Sequence, residues 1–184
     1  DLLNANPAHD ARMSEPGPAA RYHARGVSAS KDEVHAAIAG QDSGLYPGAF
    51  CKIIPDLLSN SDEHCLLMHA DTAGSKAALG YLAWKETGDI SLWRGIAQDA
   101  LVMNLDDCAC VGSLGPYLIS NTIGRNAKLI PGEVIGEIIN GYQDCCDLLQ
   151  SEGIEAVVQG QHLENLQGMI PFGVSSACTV WILN

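Results

Sequence analysis

The sequence predicts an α+β fold, a mixed or antiparallel sheet with helices on one face. Strand-like and helix-like segments alternate loosely, without the regular strand–helix–strand repeat of a doubly wound sheet. With 184 residues, 47% of them hydrophobic, the chain can bury one core. No internal repeat or low-complexity segment interrupts it.

Residues 1–21 read as a disordered or non-native leader, with Met13 as the expected start and ordered structure from Tyr22. Residues 22–184 read as one domain. Ser30 and Glu33 have capping-box spacing and open a short helix through Val34 and Ile38. The glycines and proline of GLYPGAF (44–50) make a loop. Phe50 to Ile54 reads as a strand, stopped by Pro55. Cys65 to His69 is nearly all apolar and so reads as an interior strand.

Ser75 to Trp84 reads as a helix with Ala77, Ala78, Tyr81 and Leu82 on its buried side, ended by Gly88-Asp89. Another helix spans about Ser91 to Val111, with Leu92, Ile96, Met103 and Val111 as its stripe. Pro116 to Thr122 is a strand candidate. Pro131 sits where a first helical turn tolerates proline. The long helix it opens has Val134, Ile135, Ile138, Ile139, Tyr142 and Leu149 on its apolar side and stops at Gly153. Ile154 to Val158 and Ser176 to Leu183 are the last strands.

The net charge of −12 argues against nucleic acid or an anionic membrane as partner. No apolar run approaches the ~20 residues of a bilayer span. An odd count of seven cysteines, most within apolar stretches, and the absence of an export-type start favour free thiols in a cytoplasmic setting.

Two segments carry chemistry. In HADTAGSK (69–76), Asp71 closes an apolar strand, where sheets commonly present ligands. Ala73 and Gly74 let a phosphate approach the backbone. Ser75 can cap the next helix, whose free N–H groups favour an anion, and Lys76 adds a point charge. The P-loop spacing is absent, and a solvated strand–turn–helix connection is the alternative. In AQDALVMNLDD (97–107), Asp99, Asp106 and Asp107 share one side of a helix with Met103 between them. Carboxylates there are costly to bury unless paired or bound to a cation such as Mg²⁺. The alternative is a solvated face. His69 could touch a ligand or be a hydrogen-bonded strand-end residue. The cysteines lack zinc spacing.

These segments stand in a recognisable order: YHARGV (22–27), GLYPGAFCKI (44–53), HADTAGSK (69–76), GIAQDALVMNLDD (95–107) and GPYLISNTIGR, leading to IPGEVIGEIINGYQDCCDLLQSEGI. Together they resemble the N-terminal, ATP-binding half of the aminoimidazole ribonucleotide synthetase family (phosphoribosylformylglycinamidine cyclo-ligase), in the branch found in Bacteroidetes-type bacteria. The resemblance implies ATP-dependent ring closure of formylglycinamidine ribonucleotide in purine biosynthesis, with ATP and Mg²⁺. It implies metal ligation by Asp71, Asp99 and Asp107, and nucleotide contacts from Gly48, Phe50, Asp71, Thr72, Gly74, Ser75, Lys76, Asp99 and Asp107. It also implies a homodimer whose sheets pair into a barrel. The family's Gly-Gly-Glu-Thr-Ala stretch meets Gln159-Gly160-Gln161-His162-Leu163 here, so a metal-binding Glu falls on Gln161, and residues 159–184 diverge. On this resemblance the family's C-terminal domain is expected to be absent, so the alternative is an inactive fragment that only dimerises.

Overall fold

A computed structural model describes residues 18–26, 31–165 and 172–183. The chain divides into two compact units, Asp1–Asp42 and Ser43–Asn184. The first carries α1 (Pro18–His23) and α2 (Asp32–Ile38). Structure thus starts ahead of Tyr22, and α1 takes in the end of the segment predicted to be disordered. Lys31 occupies the N-cap position of α2 and makes no side-chain cap bond. The Ser30 cap lies outside the described residues, as does the leader before Pro18.

The second unit is built on a five-stranded sheet. Its strands are β1 (Ile53–Pro55), β2 (His64–Thr72), β3 (Tyr117–Arg125), β4 (Ala156–Asn165) and β5 (Phe172–Leu183), in spatial order β1-β2-β5-β3-β4. β3 and β4 are parallel, as a helical crossover allows, and all other pairings are antiparallel. The sheet is therefore mixed, and β2 is interior as expected. β5 lies between β2 and β3, at the centre of the sheet. β1 is shorter than predicted. Its Ile53 carbonyl accepts from the Leu45 N–H at 2.7 Å, and Pro55 has no N–H with which to continue the ladder. Gly44 allows that approach, since a Cβ there would lie 2.3 Å from the Ile53 oxygen.

Side chains on β3 alternate. Tyr117, Ile119, Asn121 and Ile123 are buried, while Leu118 and Ser120 are exposed. On β2, Cys65 and Leu67 are buried and Met68 is 66% exposed. Among the described residues one sheet face packs on helices, and the other buries Leu66 but leaves Met68, Leu118 and Ser120 exposed. The covering helices are α3 (Lys76–Thr87), α4 (Leu92–Ala109) and α5 (Gly132–Ser151).

α3 ends at Gly88, whose φ of 73° suits a residue without Cβ and whose N–H returns to Trp84 O. Its inner side is Ala77, with Tyr81 and Trp84 half-buried. Ala78 and Leu82, predicted inside, are exposed. The buried stripe of α4 is Trp93, Ile96, Ala97, Ala100, Leu101, Asn104 and Cys108. Leu92 and Met103 lie outside it, and only Ile96 of the predicted stripe is buried. α5 buries Val134, Ile135, Ile138, Gly141, Tyr142 and Cys146. Pro131 occupies its N-cap rather than its first turn, in an extended conformation that orients the chain into the helix. Burial, with nearby Cys108 and Asp107, pushes the Cys51 thiol up to about 11. Burial likewise pushes Cys146 up to about 11. Both behave as small core hydrophobes.

The helix layer is tightest at Gly141. A Cβ there would meet Arg94 Cα at 2.8 Å, Ala97 Cβ at 2.9 Å and Arg94 O at 2.9 Å, so backbone would have to move. Gly136, earlier on α5, has nothing within 4 Å of an added Cβ. Gly141→Ala should destabilise the protein by about 1–3 kcal/mol. Gly136→Ala should be neutral or stabilise it by up to about 1 kcal/mol. Urea unfolding of both variants checks this; equal effects would show that α4 and α5 do not meet at Gly141.

Candidate functional site

β2 delivers His69 and Asp71 to the helix-covered face, since both alternate in step with buried Cys65 and Leu67. The strand then turns through Ala73, Gly74 and Ser75 into α3. The turn holds itself by local hydrogen bonds. Thr72 N–H donates to Asp71 Oδ1 at 2.6 Å, and Gly74 N–H donates to Thr72 Oγ1 at 3.0 Å. Gly74 takes φ 56°, a conformation costly for a residue with Cβ. Ser75 stands at the N-cap of α3 in a helical conformation and makes no side-chain cap bond. The predicted Ser75 cap is therefore not formed. Ala73 O instead accepts from Lys76 N–H at 3.2 Å.

α4 carries the other carboxylates, and two ends of the site can be told apart along it. At the first, Lys76 Nζ lies 3.5 Å from Asp99 Oδ1, with both side chains nearly half exposed. At the second, His69 Nε2 lies 2.9 Å from Asp107 Oδ2. The other ring nitrogen, Nδ1, lies 3.4 Å from Asn104 Oδ1. Asn104 is fully buried, and its Nδ2 donates to Ala100 O at 2.9 Å, which turns its oxygen toward the imidazole. Cys51 Sγ–H donates to the Asp107 carbonyl at 3.2 Å and ties the end of the GLYPGAF loop to this second end.

The structure therefore brings the predicted residues together in pairs. Asp99 meets Lys76, Asp107 meets His69, and the Asp71 carboxylate turns back on its own strand end. Among the described residues no group of three or more His, Cys, Asp or Glu could hold a metal ion. Among the described residues Asp71, Asp99 and Asp107 thus do not stand as one cluster. The reason is geometric. Eight residues along a rigid helix separate Asp99 from Asp107 by about 12 Å, and each finds a nitrogen partner closer than the other carboxylate. Asp106 is exposed.

Gly48 and Phe50 lie just before Cys51, in the loop anchored at the Asp107 end. Gly48 has φ 94° and open space around it, and Phe50 is 66% exposed. His69, within β2, is hydrogen-bonded to Asp107 and Asn104. Sequence reasoning missed Asn104 altogether. Its signal was an amide on the apolar stripe of α4, three residues before Asp107, where a polar group requires a partner.

Among the described residues no helix is long and apolar enough to cross a membrane. A search of curated proteins finds no match to the chain. Among solved structures, tt0281 from Thermus thermophilus is similar at a TM-score of 0.49 and 12% identity, over 84% of this chain and 44% of that one. Thiamine monophosphate kinase from Aquifex aeolicus is similar at 0.41 and 10% identity, over 80% of this chain and 40% of that one. PurLQS from Thermotoga maritima is similar at 0.44 and 14% identity, over 84% and 24%. The chain thus spans less than half the length of each. Residues 40–163, well over half of the sequence, match the profile described as AIR synthase related protein, N-terminal domain. On that match, the chain belongs to the AIR synthase-related N-terminal domain family.

Proposed function

We propose that this chain is the nucleotide-binding part of an ATP-dependent cyclo-ligase of purine biosynthesis, acting on formylglycinamidine ribonucleotide to give aminoimidazole ribonucleotide. The observation that carries the reading is the β2–α3 connection inside the matched family region. A strand-end carboxylate, a turn through Gly74 and a lysine on the first turn of α3 stand beside an aspartate of α4. That arrangement suits polyphosphate. Lys76 is half exposed and can exchange Asp99 for a phosphate oxygen. The first N–H groups of α3 favour negative charge.

The donor set is thin for a metal held by protein alone and better suited to one that arrives with its nucleotide. Mg²⁺ commonly takes one or two carboxylates, with phosphates and water filling its shell. Asp71 and Asp99 would supply those carboxylates, with Asp107 farther along α4 beside His69. The metal would neutralise phosphate charge, and the chain's own residues would position the nucleotide. A cytoplasmic setting accompanies this reading. The sheet face away from the helices, where Met68 and Leu118 are exposed, would pair with a second copy. The remainder of the substrate cleft would come from a further domain.

The second reading is a dimerising module without catalysis. The internal pairing of Asp99 with Lys76 and Asp107 with His69 favours it, because each carboxylate already has a partner within the chain. Isothermal titration with Mg²⁺ and the ATP analogue AMPPCP separates the two. The wild-type chain should bind, and Asp71→Asn with Lys76→Ala should weaken binding at least about tenfold, near the 1.4 kcal/mol of one good charged contact. Binding no better in wild type than in the double variant would leave only the dimerising module. A second outcome concerns β4, where Gln161 pairs in register with Asn121. Gln161→Glu should tighten Mg²⁺-dependent AMPPCP binding, because a carboxylate is the stronger ligand for a hard cation. Unchanged or weaker binding would remove Gln161 from the site.

A further inference from the structure

Between α4 and α5 lies an apolar groove of about 250 Å³, lined by none of the residues of the site described above. Leu101 is buried at its base, Leu105 and Leu149 are half-buried, and Val102 and Leu148 stand 39% and 63% exposed at its lips. Along α4 the groove runs from Gln98 to Leu105, about 10 Å or two helical turns. It is smaller than the roughly 300–1,000 Å³ of small-molecule pockets and suits a few side chains from a partner surface.

The charge beside it is mostly negative. Asp144 lines the groove, exposed Asp106 follows Leu105, and exposed Asp147 precedes Leu148. Beyond Arg94 neither α4 nor α5 carries a lysine, arginine or histidine, and Arg94 is itself held by Glu137 and Asp144. A second copy of the same face would bring its carboxylates against these, which like-charge repulsion opposes. An anionic bilayer or a nucleic acid is disfavoured in the same way. A partner with cations beside an apolar stripe matches both features at once. Two turns of groove are the reach of positions i, i+4 and i+7 on a facing helix.

We propose that this groove is a docking site for a basic amphipathic helix of a partner protein. Apolar residues of that helix enter between α4 and α5, and its flanking lysines or arginines face the carboxylates beside the groove.

Fluorescence anisotropy of a labelled synthetic peptide tests this on the 184-residue chain. The peptide carries leucines at i, i+4 and i+7 and lysines between them. It should bind at least about tenfold more tightly than a peptide of the same composition with its leucines scattered round the helix, and than one with glutamates for the lysines. Leu148→Glu should weaken binding at least about tenfold, even though it makes the chain more negative. Val102→Glu, also at an exposed position, should do the same. Binding that these substitutions strengthen or leave unchanged would be bulk charge attraction and would overturn the proposal. Equal binding of the lysine and glutamate peptides, or no binding of the lysine peptide, would overturn it too. So would a wild-type dimer that Leu148→Glu dissociates, which would make the groove an interface between copies.

Discussion

The packing of α4 is the constraint on which the rest of the site depends. Its buried stripe, from Trp93 through Leu101 to Cys108, lies against the sheet and the neighbouring helices. Its other flank is locked to α5. Gly141 admits the α4 backbone, and Arg94 reaches Glu137 at 2.6 Å and Asp144 at 2.5 Å across the same seam. Those ion pairs hold the Arg94 guanidinium still more firmly in its charged form. They are partly exposed, so they orient the helices more than they stabilise them. A helix held on two sides cannot roll to bring distant residues together. Asp99, Asn104 and Asp107 therefore keep the spacing that helical geometry sets.

That rigidity decides the electrostatics. The carboxylates of α4 find partners on neighbouring elements: Lys76 from α3 for the half-exposed Asp99 at one end, His69 from β2 for Asp107 at the other. Asn104, buried and oriented by Ala100, braces the imidazole from its second nitrogen. The Lys76 pair is half exposed and exchangeable, whereas the His69 end is bound into the protein on three sides.

Much of the fold was legible because local signals agreed with burial. Gly88 and Gly153 ended helices where their sequence position suggested, and the apolar run from Cys65 to His69 became an interior strand. Helix faces were less legible. Ala78, Leu82 and Met103 fit an apolar periodicity, yet face out, because the layer is filled by Trp84 and Trp93, which pack edge to face with ring centroids 6.0 Å apart. Ser75 looked like a cap, but the turn is closed by Thr72 and Ala73 instead. The site was half legible. Helical spacing grouped the acidic residues of α4, but their partners come from elsewhere in the chain, and no periodicity within one segment reports a contact such as His69 with Asp107. The central position of β5 was hidden for the same reason: strand order is set by long-range pairing, not by local pattern.

Asp99 and Asp107 are partnered by Lys76 and His69, and on the proposed reading Mg²⁺ is held only together with its nucleotide. Titrating Mg²⁺ calorimetrically into the nucleotide-free chain, and again with AMPPCP present, addresses it most directly. No saturable Mg²⁺ binding below millimolar concentrations is expected in the first titration, and saturable binding in the second. Tight Mg²⁺ binding by the chain alone, abolished by Asp99→Asn or Asp107→Asn, would contradict it.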